Sequence, residues 1–470
     1  MSERAFTSVL STVTRVREVC TLTPFDTSSE AGRSKERYRR LILTAASSGL
    51  CRATGVLSLL FTVPLTISYL GKDRYGAWMT ISSLVALLSF SDLGLGNGLV
   101  TALSQAEGRG DREFAKRAVS SVLLCLIAIA LVIIAVFFLF RRLVSWENLL
   151  GLGAAQNAGE VRAGLSVIVI CFAVGLPVNL VRQVQMALQS GALANLWAML
   201  ASVLSVAAVF AAAKLQLSIP WLVGIVSGAP LVAGLLNYVW FFYRDRSDLR
   251  PAWSAFRFGT AFQLLRLGFL FFVLAIAGAL AFNSQNIVIA HVLGPSQVTE
   301  YALVQRLYSI IPMVVGLITQ PLWPAFGEAV ARGEWTWVRR TLWRAISING
   351  VIAAMPAIIL LIFGESIVHI WTKGQVSTSH WLLAGFSLWV VISAICSPIC
   401  MLLNAAGAVL FQVVSSLLFA GITVLLSVFL VSRFGLPALI WSIVFVYILL
   451  QMAPYLLLLR KRSWMEHDDH

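Results

Sequence analysis

The chain has 470 residues, of which 59% are apolar and only 12% are charged, whereas a soluble domain has roughly 45–50% and 25%. Lipid is therefore the expected solvent, since no polar stretch except the N-terminal tail is long enough for a soluble domain. The formal net charge of +14 does not indicate a nucleic-acid-binding protein, because the basic residues form short clusters between apolar windows. We expect no nucleic acid partner.

The first forty residues lack an apolar run of the signal-peptide type, so the first span is expected to stay in the mature protein. Residues 21–40 are polar and basic, which predicts a disordered arm. This arm would either bind anionic membrane lipids or act only as an orientation signal. The six cysteines show no CxxC spacing, so we expect small core residues and neither a metal nor a cofactor.

Windows without Asp, Glu, Lys or Arg mark the predicted spans, because a helix needs about 20 apolar residues to cross a ~30 Å hydrocarbon core. In chain order these windows are 53–71, 75–91 continuing past Asp92 to 106, 118–140, 163–181, 183–213, 215–243, 267–299, 307–327, 345–364, 374–432 and 434–459. The window 374–432 is long enough for two helices with a turn near Asn404 to Gly407. The chain should therefore have about twelve transmembrane helices.

Most of the 35 Lys and Arg residues fall in the two tails and in alternate loops, which places both termini in the cytoplasm. The extramembrane loops are too short for a catalytic domain, so we do not expect an enzyme. The predicted organisation is a cytoplasmic basic N-terminal tail (1–44), an N-terminal six-helix bundle (45–243), a cytoplasmic linker (244–260), a C-terminal six-helix bundle (261–459) and a cytoplasmic C-terminal tail (460–470).

Short signals recur in the same order at a spacing of roughly 215–223 residues, as a duplicated six-helix unit would give. The pairs are Leu70-Gly71 with Leu293-Gly294, Arg109-Gly110-Asp111 with Arg332-Gly333-Glu334, Gln189-Ser190-Gly191 with Asn404 to Gly407, and Pro220 with Pro437. Six is an even number of spans, so the repeat is parallel and the two pseudo-symmetric bundles should surround a central cavity. Such halves can rock against each other, which is the geometry of alternating access.

Several of these motifs resemble those of polysaccharide-exporting flippases of the Wzx type, a branch of the multidrug/oligosaccharidyl-lipid/polysaccharide exporter superfamily. The resemblance covers nearly everything after residue 45. Its motifs are Leu70-Gly71-Lys72-Asp73-Arg74-Tyr75-Gly76-Ala77-Trp78, Ser91-Asp92-Leu93-Gly94-Leu95-Gly96-Asn97, Arg109-Gly110-Asp111, Leu293-Gly294-Pro295, Gly364 to Trp371 and Leu403-Asn404-Ala405-Ala406-Gly407.

The resemblance implies a flippase of the bacterial inner membrane. Its cargo would be an undecaprenyl-diphosphate-linked oligosaccharide, moved to the outer leaflet for exopolysaccharide, O-antigen or capsule synthesis, with a polysaccharide polymerase and chain-length proteins as partners. Two positions depart from the family pattern. Asn286 stands where such sequences often carry an acid, and His291 stands where Lys or Arg is common, which argues against ion coupling through that acid.

A diphosphate-sugar headgroup is anionic, so its route needs fixed cations, amides and aromatic surfaces. Arginine suits this role because its planar fork binds phosphate oxygens bidentately. Arg52 lies a few residues inside the first span and Arg306 lies roughly nine residues into the eighth, where an uncompensated charge costs about 2.5–3.5 kcal/mol or more. Both are predicted to bind the substrate. Arg182 closes the fourth span and would either bind substrate or snorkel to the cytoplasmic surface.

Asp92 is the one acid that the sequence places deep in a span, and three roles are open to it. It could bind a coupling proton or sodium ion, pair with Arg52, or cap backbone broken by nearby glycines. Asn283 and Asn286, which share a helix face, and Gln285 would line the route or form interhelical hydrogen bonds. Tryptophans near predicted span ends, including Trp371 and Trp381, fit an interfacial belt better than sugar stacking.

Two other functions remain open at this stage. A drug or cation exporter of the same superfamily would need an acidic, aromatic cavity, and one deep acid against up to three arginines favours anionic cargo. An integral-membrane glycosyltransferase or polymerase acting on the same lipid carrier would need acids or basic motifs on a sizeable outer loop, and none is expected here.

Overall fold

The computed structural model describes residues 23–88, 91–141, 143, 158–372, 376 and 378–460. Every regular element in these ranges is helical, and no strand occurs among them. This confirms the predicted all-α class. The chain divides into two compact units, Met1–Gly268 and Phe269–His470.

In the part of the chain that the structure describes, seven α-helices precede residue 258. They are α1 (Glu30–Leu88), α2 (Leu95–Arg109), α3 (Arg112–Phe140), α4 (Ala158–Val178), α5 (Leu180–Ala187), α6 (Gly191–Lys214) and α7 (Ile219–Trp240). A π-helical turn (Phe241–Asp245) and two short 3₁₀ helices (Ser247–Leu249 and Trp253–Ala255) follow α7.

Nine further α-helices follow among the described residues. They are α8 (Phe258–Val292), α9 (Pro295–Tyr308), α10 (Ile310–Thr319), α11 (Leu322–Ala331), α12 (Trp335–Trp371), α13 (His380–Ala405), α14 (Val409–Phe434), α15 (Pro437–Tyr447) and α16 (Ala453–Arg460), with a π-helical turn at Ile448–Met452. The boundary between the two compact units falls within α8. The finer domain bounds derived from the sequence stay predictions.

Among the described residues, eleven helical stretches are long and apolar enough to cross a bilayer. Large apolar side chains such as Phe61, Leu139 and Leu425 are 67%, 68% and 73% exposed, as expected for a surface that faces lipid rather than water. The chain is therefore a multi-pass membrane protein. The window 374–432 holds two helices, as predicted. The predicted second span, 75–106, includes residues 89 and 90, which lie outside the described ranges.

Helix α1 starts earlier than the sequence suggested. The prediction of a disordered arm at residues 21–40 is wrong from Glu30 onward, while residues 1–22 lie outside the described part of the chain. The reason is local electrostatics, because Glu36 is only 3% exposed and forms ion pairs with Arg39 at 2.6 Å and Arg40 at 2.8 Å. These partners sit three and four residues away, so the helix itself brings the charges together. Glu36 also accepts a hydrogen bond from the Phe25 N–H.

Helix α1 also continues through the predicted boundary between the first two windows. The predicted boundary lies at Lys72 to Arg74, yet the backbone there is helical. Gly71 costs about 1 kcal/mol relative to alanine in a helix, which is too little to end a helix that continues with helix-compatible residues. The helix therefore does not break between the two windows, and the boundary between the two membrane spans stays a prediction.

The repeated signals at Gly110 and Gly333 form the same turn. Both glycines have φ of 71°, a left-handed conformation that a side chain disfavours. In each turn the next residue's N–H reaches back to a carbonyl five residues earlier, Asp111 to Ala106 at 3.0 Å and Glu334 to Ala329 at 2.9 Å. These are Schellman-type helix ends, and they occupy matching positions in the two units.

A second pair of repeated turns has Gln189 at φ 57° in one unit and Gly407 at φ 78° in the other. Ser190 donates to the Gln185 carbonyl at 2.7 Å and Ala408 donates to the Leu403 carbonyl at 2.9 Å. Pro220 and Pro437 also match, since each lies in the first turn of its helix. The pair Leu70-Gly71 and Leu293-Gly294 differs, because the first continues α1 and the second ends α8.

Candidate functional site

The first unit contains a cavity of about 380 Å³ that we call the Arg182 cavity. It lies between α1, α6, α7 and the junction of α4 with α5. Its lining residues are Gly55, Ser58, Val178, Asn179, Val181, Arg182, Ala194, Trp197, Ala198, Ala201, Ser202, Ser205, Pro230, Ala233, Gly234 and Asn237. Arginine is the one charged residue type in this set, and no acid occurs among these described residues.

A break between α4 and α5 positions Arg182. Pro177 lies in the last turn of α4, where its ring and missing N–H disturb the helical hydrogen-bond ladder. The chain then continues through Asn179, whose N–H bonds to the Gly175 carbonyl at 2.8 Å. The Arg182 N–H bonds to the Asn179 carbonyl at 3.1 Å, so α5 begins in a tightened turn. This turn carries both Asn179 and Arg182 into the cavity lining.

A buried amide pair supports the same cavity. The Gln185 side chain donates to Asn237 Oδ1 at 2.7 Å, and the Asn237 side chain donates back to Gln185 Oε1 at 3.0 Å. Gln185 is fully buried and Asn237 is 3% exposed. Because each amide satisfies the other, the pair ties α5 to α7 at the base of the cavity.

Arg52, which the sequence favoured over Arg182, lies on α1 three residues before the lining residue Gly55. It is not among the residues that line the cavity. Its predicted role in substrate binding stays a prediction.

The second unit contains a wider cavity of about 800 Å³ that we call the Arg306 cavity. Its lining residues are Asn286, Val298, Thr299, Ala302, Leu303, Arg306 and Trp371. The structure therefore brings together Asn286 of α8 and Arg306 of α9, both of which the sequence proposed as substrate-binding residues. No acid occurs among the described lining residues of this cavity either.

Helix periodicity explains the wall that α9 contributes. The lining positions on α9 recur every three or four residues up to Arg306, so they share one face of the helix. Trp371, at the end of α12, faces the same space and is 54% exposed. The sequence interpretation of Trp371 as a belt residue missed this, because span-end position alone does not distinguish lipid from cavity.

The remaining polar candidates on α8 have different settings. Gln285 is fully buried and donates to the Ala281 carbonyl of its own helix at 2.7 Å, so it is not part of the lining. Asn283 lies on α8 three residues before Asn286, and its side chain is outside the described part of the structure. On α9, Glu300 follows the predicted window 267–299 and had no predicted role. It accepts a hydrogen bond from the Ser379 N–H at 3.1 Å and so connects α9 to the start of α13.

Asp92 sits in the turn before α2 and bonds to the backbone. Its carboxylate accepts from the Gly94 N–H at 3.0 Å and the Gly96 N–H at 3.4 Å. The turn contains two left-handed residues, Leu93 at φ 51° and Gly94 at φ 71°. A carboxylate bonded to free N–H groups at the start of a helix stabilises such a turn. This geometry supports the capping role, and ion coupling stays a prediction.

The fold is that of the MATE-type membrane transporters. A MATE transporter in the bent conformation has a TM-score of 0.78 with 14% identity over 92% of this chain and 97% of that chain. A MOP superfamily transporter from Pyrococcus furiosus Vc1, described as having a binding pocket of reverse polarity, has a TM-score of 0.74 with 14% identity over the same shares. Identities this low show the fold alone.

The sequence match gives the family. Residues 44–330, more than half of the chain, match the family of polysaccharide biosynthesis proteins called Polysacc_synt. The chain belongs to this family, which confirms the predicted resemblance to Wzx-type flippases and the expectation of a transporter instead of an enzyme.

Two relatives carry provisional transport names. An O-antigen export protein of Yersinia pseudotuberculosis is 21% identical over 350 residues, covering 71% of this chain and 76% of that protein. An O-antigen transporter of Salmonella typhimurium is 20% identical over 373 residues, covering 77% and 83%.

Proposed function

We propose that the protein is a flippase that moves an undecaprenyl-diphosphate-linked oligosaccharide from the cytoplasmic to the outer leaflet of a bacterial inner membrane. Movement would occur by alternating access, with both termini in the cytoplasm. The observation that carries the proposal is the pair of cavities, one in each compact unit, each lined by an arginine and an asparagine and by no acid among the described residues. Membership of the polysaccharide biosynthesis family and the O-antigen names of the relatives support the same cargo.

The two arginines suit the diphosphate. Arg182 and Arg306 would each bind phosphate oxygens through a planar fork that stays charged at all physiological pH values. A cation at membrane depth is costly unless an anion or water compensates it. An anionic headgroup supplies that compensation, whereas a cationic drug would be repelled.

The uncharged lining suits the sugars. Trp371, with its large flat ring, lines the Arg306 cavity together with Asn286 and Thr299. An aromatic face packs against the C–H face of a sugar, while amides and hydroxyls exchange hydrogen bonds with its hydroxyl groups. The larger volume of the Arg306 cavity is consistent with an oligosaccharide rather than a bare phosphate.

Coupling to an ion gradient has little support in the described side chains. Asn286 is neutral, and Asp92 is already bonded to two backbone N–H groups. We therefore propose that transport does not depend on an ion bound at Asp92 or Asn286. A polymerase and chain-length proteins remain the expected partners, because they would use the oligosaccharide once it reaches the outer leaflet.

Reconstituted vesicles test the function directly. The purified full-length chain would be inserted into liposomes that contain a labelled lipid-linked oligosaccharide, and the headgroup exposed outside would be measured with a membrane-impermeant glycosidase. We expect exposure to rise faster than in protein-free vesicles, with no change in the mass of the lipid-linked product before the glycosidase is added. A changed product mass would instead indicate a glycosyltransferase or polymerase. Transport of a cationic dye without headgroup movement would indicate a drug exporter.

A further inference from the structure

An apolar groove of about 590 Å³ runs between α1 and α6 in the first unit. Its lining residues are Thr54, Leu57, Ser58, Phe61, Thr62, Leu65, Ser202, Val203, Val206, Ala207 and Phe210. On both helices these positions recur every three or four residues, so each helix contributes one face. The α1 face spans 54–65, which is about 16 Å of helix at 1.5 Å per residue.

The groove is apolar although several of its residues carry hydroxyl groups. Thr54 donates to the Leu50 carbonyl at 2.8 Å, and Thr62 donates to the Ser58 carbonyl at 2.9 Å. Ser202 likewise donates to the Ala198 carbonyl at 3.1 Å. Because these hydroxyls bond to their own helices, they present mainly carbon to the groove.

A polar clamp fixes α1 and α6 next to the groove. The Asn195 side chain donates to Ser47 Oγ at 2.9 Å and Ser48 Oγ at 2.8 Å. At Gly191, an added Cβ would lie 2.5 Å from Thr44 Cγ2, so the two helices touch where no side chain separates them. The groove opens within two turns of this tight contact. It is therefore a defined gap between two helices whose relative position is fixed.

The groove and the Arg182 cavity meet. Ser58 and Ser202 line both, so a wholly apolar channel opens directly beside a lining that contains a cation and two asparagines. A single molecule that fills both spaces must have an anionic polar end and an apolar chain. One gap between two helices has room for one chain, which favours a single-chain carrier over a phospholipid with two.

We propose that the α1–α6 groove holds the first part of the polyprenyl chain while the attached diphosphate lies at Arg182. This inference rests on the proposed function and assigns the lipid part of the cargo to named residues. The chain leaves one apolar surrounding for another, so the stabilisation comes from van der Waals packing rather than from exclusion of water. A modest effect on affinity follows, about tenfold.

Blocking the groove tests the proposal. The full-length protein in phospholipid nanodiscs would be titrated with undecaprenyl diphosphate, which has a head and a chain, and with inorganic diphosphate, which has only the head. Ala207→Phe places a ring in the groove, whereas Ala211→Phe adds the same ring to an exposed position on the same helix outside the groove lining. We expect Ala207→Phe to weaken undecaprenyl diphosphate binding about tenfold and to leave inorganic diphosphate binding unchanged. Ala211→Phe should change neither.

Each other outcome has a distinct meaning. Equal undecaprenyl diphosphate affinity in Ala207→Phe and wild type would overturn the groove assignment. Equal weakening by Ala211→Phe would overturn it as well, since the effect would then be general. Failure of the wild-type protein to bind undecaprenyl diphosphate would overturn the proposed function itself. Val203→Phe, at a side chain that is 56% exposed, repeats the test should Ala207→Phe not fold.

Discussion

The Arg182 cavity and the Arg306 cavity place the same cation in different surroundings. The first is about 380 Å³, and its arginine follows a helix break above a buried amide pair. The second is about 800 Å³, and its arginine lies in the last turn of α9 and shares the lining with an exposed tryptophan. One unit thus offers a narrow polar site and the other a wider one. In the proposed function both arginines bind phosphate oxygens, and the wider cavity also has room for sugars.

The largest expected effect comes from removing the arginines. A charge-assisted hydrogen bond is worth about 1.5–3 kcal/mol, so Arg182→Ala or Arg306→Ala should each slow headgroup transport by about 10- to 100-fold. Lysine should restore only part of the rate, because it keeps the charge and loses the bidentate fork. The vesicle assay measures these rates. If Arg52→Ala slows transport as strongly as Arg182→Ala while both proteins stay folded, the assignment of the first binding site to the Arg182 cavity is wrong.

The aromatic ring of the wider cavity should have the next largest effect. Aromatic packing beyond simple burial contributes about 0.5–1.5 kcal/mol, so Trp371→Ala should reduce transport about threefold to tenfold while Trp371→Phe stays near wild type. The matched control is Trp381→Ala, since Trp381 is 69% exposed and lines neither cavity. Equal losses at both tryptophans would mean that Trp371 acts as a membrane anchor.

The amide pair should affect stability more than transport. Gln185→Leu leaves the Asn237 amide buried without its partner, which costs about 1–3 kcal/mol in water-soluble proteins and about 0.6 kcal/mol per bond in membranes. We expect a lower midpoint of thermal unfolding in detergent for the single variant. The double variant Gln185→Leu/Asn237→Leu should recover part of the loss, because neither buried amide remains. No recovery would show that the two amides do not act as a pair.

Acid should have the smallest effect, and only on stability. Burial opposes the charge of Asp248, but hydrogen bonding to Arg246 at 3.1 Å outweighs it and lowers the pKa of the carboxyl below its ordinary value of 3.8. The folded form thus gains stability from the ionised carboxyl above that ordinary value, and the gain disappears as the pH falls through the lowered pKa.

The unfolding midpoint, measured between pH 6 and pH 3, should therefore fall slightly more for wild type than for Asp248→Asn. Undecaprenyl diphosphate binding should not follow the protonation of a cavity acid above pH 5, because the described linings of both cavities lack one. If the binding affinity instead changed with a midpoint above pH 5, an acid would contribute to a binding site.

Much of the architecture followed from where charges interrupt apolar runs. Lipid excludes unpaired charge and unpaired backbone, so few alternatives to apolar helices exist. The two helices within 374–432 were predicted in this way. Arg306 and Asn286 were predicted separately as substrate-binding residues, and the structure places them in the lining of one cavity. It missed the early start of α1, because composition alone does not show that Glu36 meets two arginines within one turn.

The site was harder to predict because it depends on which way a side chain faces. Arg182 was ranked below Arg52 on depth, and only the break after Pro177 shows that it enters a cavity. No pattern in the sequence predicted the α1–α6 groove. Its threonines and serines look polar in the sequence, whereas their bonds to backbone carbonyls make them apolar in space.

The matching turns at Gln189 and Gly407 use different residue types in the left-handed conformation. The C-terminal unit turns through glycine at this point, whereas the N-terminal unit holds glutamine at φ 57°. A left-handed backbone costs a residue with a Cβ about 1 kcal/mol or more relative to glycine. The two turns therefore differ in internal strain while keeping the same hydrogen-bond pattern. Replacing Gln189 by glycine should therefore relieve this strain and stabilise the N-terminal unit.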